Sequence, residues 1–557
     1  MKRSSTYRFL AAFGNGTRNF AWGNADSGLH LSGWVVPLAV LLSFCGAEAQ
    51  TAPALPRLVV NVMIDQLRTD YMEAFSPLYG ERGFRRLMQD GSMYTQAEYP
   101  FARPDRASAT ACLHSGASPY DNGIPSEQWL DRQSLRPIYC VDDKGYAGHL
   151  TAECSSPLYL SVSTIGDELK VATEGKGIVL SVSPFRDAAI LSAGHAADAC
   201  FWLNDLTGQW CSSSYYGEFP SWALAYSRFN SLPQRIGDAV WTPSNEVVGN
   251  FSYFISGGLK SPFSHKFKGS SAYREFKTSG LINEEVNRFA SHCIASAGMG
   301  LDAVTDMISI TYYAGNYDRC SVSECPMELQ DTYVRLDNAL GQLMDDVEKR
   351  VGRGNVLFVV TGTGYSDEPV TADISRYRIP TGTFDMSRAE ALLNMYLIAV
   401  YGQGQWVESS MDNEIYLNLK LIEQRNVNLT ELLEMSSAFI IQLAGVKDVY
   451  TSQRLSLGAW TPGISKLRNA YNPRRSGDIL VQIAPGWSLS SVNNTGKQNI
   501  SRESYTAFPL FFMGSGFCAG KIDTPVSIDH VAPTVAKVLR IRSPNGCGQP
   551  PLRCALP

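Results

Sequence analysis

The sequence predicts an α/β protein: a doubly wound, mostly parallel sheet between helices, with insertions forming a cap. Three observations lead there. Residues Arg57 to Ile64 (RLVVNVMI), apolar except for Arg57 and Asn61, lead to Asp65, which suits a strand buried on both faces. Leu329, Tyr333, Leu336, Leu340, Leu343, Val347 and Val351 recur at spacings of three and four, the pattern of a long amphipathic helix. That pattern stops at Gly352 and Gly354, and an apolar strand, Val356–Thr361, begins at once. Helix, short glycine turn and buried strand are the repeating unit of a doubly wound sheet.

The remaining elements follow in order. The first strand carries Asp65 at its carboxyl end, where open α/β sheets place their sites. A helix pattern occupies Gly83–Met88. Gly177–Val182 and Val304–Tyr312 read as further buried strands, and Asn394–Tyr401, Asp478–Ile483 and Phe508–Met513 as later ones. A closing helix falls near Val531–Val538. Segments 120–300 and 365–480 are rich in Tyr, Ser, Gly and Pro and read as insertions into one domain spanning 50–557.

Composition excludes several classes. The chain has 557 residues, 44% hydrophobic and 18% charged, with a formal net charge of −5. This is globular usage, not that of a disordered, collagenous or coiled-coil chain. Mild acidity argues against a dedicated nucleic-acid binder. Lys2, Arg3, Arg8 and Arg18 precede an apolar run, Trp34–Cys45, and then Ala47-Glu48-Ala49. That order predicts a secretory signal peptide over residues 1–49 and an exported, periplasmic chain. A lipoprotein site at Cys45 is the weaker alternative, since Phe44 is bulky where a small residue is needed. No later stretch is long and apolar enough to span a bilayer. Export makes disulfides plausible. Cys320–Cys325, Cys200–Cys211 and Cys547–Cys554 are the close pairs, and buried free thiols are the competing reading. No CxxC pair occurs, so a structural zinc site is not expected.

Six blocks carry a resemblance: VMIDQLRTDY (62–71), YGERGFRRLMQDG (79–91), SGASPYDNGI (115–124), AILSAGHAADACFWLND (189–205), LQDTYVRLDNALGQLMDDVEKRVGRGN (329–355) and SIDHVAPTVAKVLRIRSPNG (527–546). In order and spacing they resemble the alkaline phosphatase superfamily, in its branch of monomeric bacterial periplasmic phosphatases. The resemblance implies two zinc ions held by three Asp and three His. It also implies a Thr or Ser nucleophile at a helix start, with an Asn and a Lys/Arg clamp for the phosphoryl oxygens.

The residues at the matching positions depart from that set. Asp65 matches the first metal ligand. The nucleophile position falls on Arg106 in Arg103-Pro104-Asp105-Arg106, and the phosphate-binding Asn on Glu127. The clamp falls on Phe185-Arg186-Asp187, so Phe185 and Asp187 replace two cations. Tyr312 and Asn316 stand where an Asp and a His are expected, and Thr363-Gly364-Tyr365 where the family has Asp-His-Gly. The stretch 490–508, where the last His belongs, holds no histidine. After residue 49 the histidines are His114, His149, His195, His265, His292 and His530, none with Asp four residues before it. Asp529 reads as a helix N-cap and His195 as a structural histidine. Asp105, Ser108 and Thr110 read as helix-start residues, not displaced nucleophiles. Cys112 and His114, two apart on a helix, face different ways.

Two expectations result. Arg106 is expected to pair with Asp65, and with Glu127 or Asp187, in place of a metal charge; the alternative is that all four are separate surface residues. The chain is expected to be a non-catalytic, metal-free phosphatase-like scaffold among cell-envelope proteins, such as an outer-membrane assembly or secretion complex. Two alternatives remain. One is a hydrolase of changed, metal-independent chemistry on phosphorylated envelope glycans or other phosphoesters. The other is a binding module that holds an anion with Arg106 and Arg186.

Overall fold

The computed structural model describes residues 54–248, 262–320, 324–366, 380, 382–458, 462–490, 499–500 and 506–553. The signal segment 1–49 with Cys45, most of 490–508, and Cys554 lie outside the described residues. The first strand, β1 (Leu58–Asp65), is buried along its whole length. Its longer partners in the central sheet are β2 (Ser92–Glu98), β3 (Val179–Ser183), β4 (Ala199–Leu203), β5 (Trp210–Ser213), β6 (Asp306–Tyr313) and β7 (Val356–Gly362), with short edge strands at Gly148–His149, Gly520–Ile522 and Val526–Ser527. The insertion after β7 contributes β8 (Val407–Met411), β9 (Glu414–Leu417), β10 (Val446–Thr451) and β11 (Ile479–Ile483), and the chain returns to the central sheet as β12 (Phe508–Gly514).

The central sheet has 11 strands. Its middle, in the order β7-β1-β6-β3-β4, is parallel throughout. Beyond β7, β12 runs antiparallel to both β7 and β2, and beyond β4, β5 runs antiparallel. The sheet is therefore mostly parallel, as the helix–turn–strand pattern predicts.

Both faces are covered, which explains why β1 is apolar at both alternate sets of positions, with Asn61 the one polar residue before Asp65. The main helices are α1 (Arg106–Ser115), α2 (Ile165–Ala172), α3 (Arg186–Ala193), α4 (Leu281–Ser296) and α5 (Pro326–Val351), then α6 (Met386–Tyr401), α7 (Leu429–Ile440) and α8 (Val531–Leu539). Leu58, Val60, Val62 and Ile64 pack with Ile282, Val286 and Phe289 of α4 and Leu336, Leu340 and Leu343 of α5. Val59 and Met63 pack the other way, with Ala109 and Cys112 of α1, Ile165 and Leu169 of α2 and Val535 of α8. Each such buried side chain contributes about 1.5–3 kcal/mol, so this two-sided burial dominates the fold's stability.

The insertion after β7 has its own core. A four-stranded sheet in the order β8-β9-β11-β10 packs Ile415, Leu417, Ile479 and Val481 against Leu393 and Leu397 of α6 and Leu432 of α7. It touches the body near α1: Lys466 pairs with Glu98 at 2.6 Å, Arg132 with Asp478 at 3.0 Å, and the Ala102 amide bonds the Lys466 carbonyl at 2.8 Å.

Two sequence expectations are corrected, and of the two readings left open for the cysteines the described residues show one. Residues 394–401 belong to the helix α6, not to a strand. Asp385 caps it by accepting from the Ser387 and Arg388 amides, and Met386, Ala389, Leu393 and Leu397 form a buried stripe while Met395 is exposed. Asp529 does not cap the last helix: it sits in a short 3-10 turn, and the residue before α8 is His530. The ten described cysteines are all free thiols. Cys200 and Cys211 lie on neighbouring strands but out of register, because Cys211 stands opposite Trp202, whose carbonyl accepts its thiol at 3.2 Å. Cys547 bonds the Ser115 carbonyl at 3.2 Å. Cys320 and Cys325 stay in thiol contact, and burial together with that contact pushes Cys325 up.

Candidate active site at the carboxyl edge of the sheet

The site grows from the ends of β1, β3 and β7 and the amino ends of α1 and α3. Asp65 closes β1 with its side chain fully buried. Gln66 follows with φ 62, a left-handed conformation that a non-glycine residue adopts at a cost of about 1 kcal/mol or more. Such strain just past the end of a central parallel strand marks a place where side-chain placement has been favoured over backbone comfort.

Asp105 starts α1 with a full capping box. Its Oδ1 accepts from the Ser108 amide at 2.8 Å, and the Asp105 amide donates to the Ser108 hydroxyl oxygen at 3.0 Å. Asp105 Oδ2 accepts from the Glu127 amide at 2.6 Å and so ties the next segment to the helix start. Ser108 and Thr110 are buried, and Thr110 bonds the Arg106 carbonyl at 2.6 Å. These three residues are therefore committed to the helix, as the sequence predicts.

Arg106 is the first residue of α1, where the helix dipole disfavours a cation. Carboxylates reverse that preference. Its Nε donates to both oxygens of Asp187, at 3.0 and 2.9 Å. Its Nη1 lies 3.4 Å from Asp65 Oδ2 and its Nη2 3.4 Å from Glu127 Oε1. Asp65 and Asp187 are 0% exposed, Arg106 is 13% exposed, and Glu127 is 44% exposed. Burial works against the charge of Arg106, but Asp187, Glu127, Tyr365 and Asp65 more than reverse it, so its guanidinium holds its proton more tightly than usual. The guanidinium carbon lies 3.9 Å over the Phe185 ring, a favourable cation–π distance. The two buried pairs and the one at the rim are those the sequence anticipates, and the alternative of separate surface residues does not hold.

The turn after β7, and the end of β6 with the segment beyond it, carry the remaining positions. The Thr363 hydroxyl donates to Asp65 Oδ1 at 3.1 Å and accepts from the Gln66 amide at 2.8 Å. Gly364 has φ 72, and a Cβ there would lie 2.8 Å from Phe508 and Tyr99, so no ligand-bearing side chain fits. Tyr312 points away: its hydroxyl bonds Asn287 on α4 at 3.2 Å, in the core on the opposite face. Asn316 starts a short 3-10 turn, its carbonyl bonded by the Tyr313 hydroxyl at 2.8 Å. Arg186 also turns away, to Asp142 at 3.0 Å and the Ser155 hydroxyl at 3.1 Å. It does not help Arg106 hold an anion.

The histidines are engaged elsewhere. His195 joins Asp167 at 3.1 Å and the Leu160 carbonyl at 3.1 Å. The Asp167 bond holds its ring above its usual value. His114 is buried and pushed down to about 4, and its neighbour Cys112 is pushed well up by burial, so neither is a base or nucleophile near neutrality. His265 meets Glu328 at 2.8 Å, and His530 meets the Pro550 carbonyl at 2.7 Å. Two zinc ions do not fit these residues. Tyr312 is spent in the core, Gly364 has no room, Thr363 donates to Asp65, and Asp65 already faces a guanidinium. Among the described residues no three His, Cys, Asp or Glu side chains converge as a metal cage.

Sequence reasoning missed Lys277. It is buried, bonds the Leu203 carbonyl at 3.0 Å and Asp205, and lies 5.3 Å over the same Phe185 ring that Arg106 covers. Nothing in its local pattern (Glu275-Phe276-Lys277-Thr278) signals this, because the insertion carrying it is brought to Phe185 only by the tertiary fold.

The model of the type I phosphodiesterase / nucleotide pyrophosphatase family matches residues 59–505, and the chain belongs to that family. Alkaline phosphatase PafA of Elizabethkingia meningoseptica is 27% identical over 542 residues, covering 93% of this chain and 98% of that protein. Alkaline phosphatase PhoV of Synechococcus elongatus is 28% identical over 542 residues, covering 92% and 97%. The crystal structure of wild-type PafA superposes with a TM-score of 0.79 at 24% identity, over 91% of this chain and 100% of that one. It has the same α/β fold with a large, mostly parallel central sheet. These relatives overturn the expectation of a non-catalytic scaffold: near-full-length relatives named as phosphatases point to chemistry on phosphoric esters.

Proposed function

We propose that the chain hydrolyses phosphoric esters, diesters ahead of monoesters, at the Arg106 centre, by chemistry that differs from two-metal catalysis. The observation that carries this reading is the placement of a guanidinium, fixed by two buried carboxylates, at the carboxyl edge of a phosphatase-like sheet. Fixed positive charge where phosphoryl oxygens gather charge is the largest single contribution to such reactions. Asp65, Asp187 and Glu127 outnumber that cation, so a singly charged diester is opposed less than a doubly charged monoester.

Glu127 is the half-exposed acid of the group and the candidate general base. In this reading it takes a proton from a water as the water oxygen bonds phosphorus and the ester P–O bond breaks. The departing oxygen is protonated from solvent. The basic leader and apolar run before residue 50 support an exported site of action.

The test is release of nitrophenolate from bis(p-nitrophenyl) phosphate and from p-nitrophenyl phosphate. The expected result is faster diester turnover, unchanged by EDTA and lost in Arg106→Gln. Absence of turnover on both esters, or turnover that needs added zinc, contradicts the proposal.

A further inference from the structure

We propose that Arg106 is a tethered cation standing in for a bound metal, so that the fold holds its buried carboxylates with no ion from solution. The inference concerns folding and ion binding and does not depend on the hydrolase reading. Asp65 and Asp187 come from chain segments far apart in sequence and are both 0% exposed. Two interior carboxylates that close together are stable only if a cation answers them.

The guanidinium does so with a distinct nitrogen for each acid: Nε for Asp187, Nη1 for Asp65 and Nη2 for Glu127. A planar fork of five donors suits this task, and a compact ammonium does not. The Phe185 ring closes one face of the guanidinium at 3.9 Å, and Thr363 takes up Asp65 Oδ1. The cation also sits at a helix start, against the local dipole preference. Its position therefore follows from the carboxylates and not from the helix.

The test is thermal unfolding of the purified chain, with metal content measured on the same sample. The wild-type chain is expected to hold far less than one zinc per molecule and to melt identically with EDTA or zinc. Arg106→Ala is expected to melt about 3–5 °C lower. Millimolar guanidinium chloride or zinc chloride should return part of that loss, and sodium chloride should not. Should Arg106→Ala fail to fold, Arg106→Ala with Asp187→Asn is compared with Arg106→Lys. The double variant then recovers folding by removing a carboxylate together with the cation. Stoichiometric zinc in the wild-type chain with a lower melting point in EDTA would falsify the proposal. So would an Arg106→Ala melting point equal to the wild type, or a double variant no more stable than the single one.

Discussion

At the residue scale, the arrangement around Arg106 separates stability from chemistry. Asp187 is buried and takes two bonds from Nε, whereas Glu127 is 44% exposed and takes one long contact. Asp187→Ala should therefore cost about 3–5 kcal/mol in urea unfolding, because it strands a buried guanidinium. Glu127→Gln should cost less than about 1 kcal/mol in the same experiment. Its diester turnover should fall by roughly 10²-fold or more, and the acid limb of its pH–rate profile should disappear. Equal stability losses in the two variants would mean that the site is not organised as described. His195 gives a pH-dependent counterpart. Its bond to Asp167 raises the ring above 6.5 in the folded chain. The stabilisation is full below 6.5 and is lost as pH rises through the raised folded value. The melting-point gap between wild type and His195→Gln should thus be wider at pH 6 than at pH 9. Asp65 was legible from the sequence because it closes a strand inside a recognisable block, and Arg106, Glu127 and Asp187 because their positions follow from the order and spacing of the blocks around them. The ring of Phe185 under Arg106, the Thr363 donor and Lys277 were not, since they depend on where separate segments meet.

At the element scale, local pattern determined most of the chain. β1, β6, β7 and α5 are long, strongly periodic or continuously apolar, and their positions were legible to within a few residues. Residues 394–401 misled because NMYLIAVY is apolar on every side, so its periodicity is ambiguous. The deciding signals were Asp385 at its start and Gly402, with φ 88, at its end. The elements also hold one another. Asp337 of α5 accepts from the Gly80 amide at 2.9 Å and the Phe84 amide at 2.7 Å, fixing the helix start at Phe84. Asp337→Ala leaves two donors without that partner and should cost about 2–3 kcal/mol in urea unfolding. A loss under about 0.5 kcal/mol would show that the contact is incidental.

For the whole molecule, the body and the inserted sheet have separate cores that meet around residues 98–132. Leu393→Ala should open a cavity in the inserted core, costing about 2–5 kcal/mol there. Hydrogen exchange should then quicken across 386–483 with β1 and β6 still protected. Uniform loss of protection would mean that the two cores unfold as one. The chain belongs to the type I phosphodiesterase / nucleotide pyrophosphatase family, while an arginine-centred cluster occupies the positions where the two-metal site was expected. The most direct test is diester turnover by metal-stripped wild type and by Arg106→Gln, measured side by side. The expected result is turnover in EDTA by the wild type and none by the variant. Activity that vanishes in EDTA and returns with zinc, or that survives in Arg106→Gln, would contradict it.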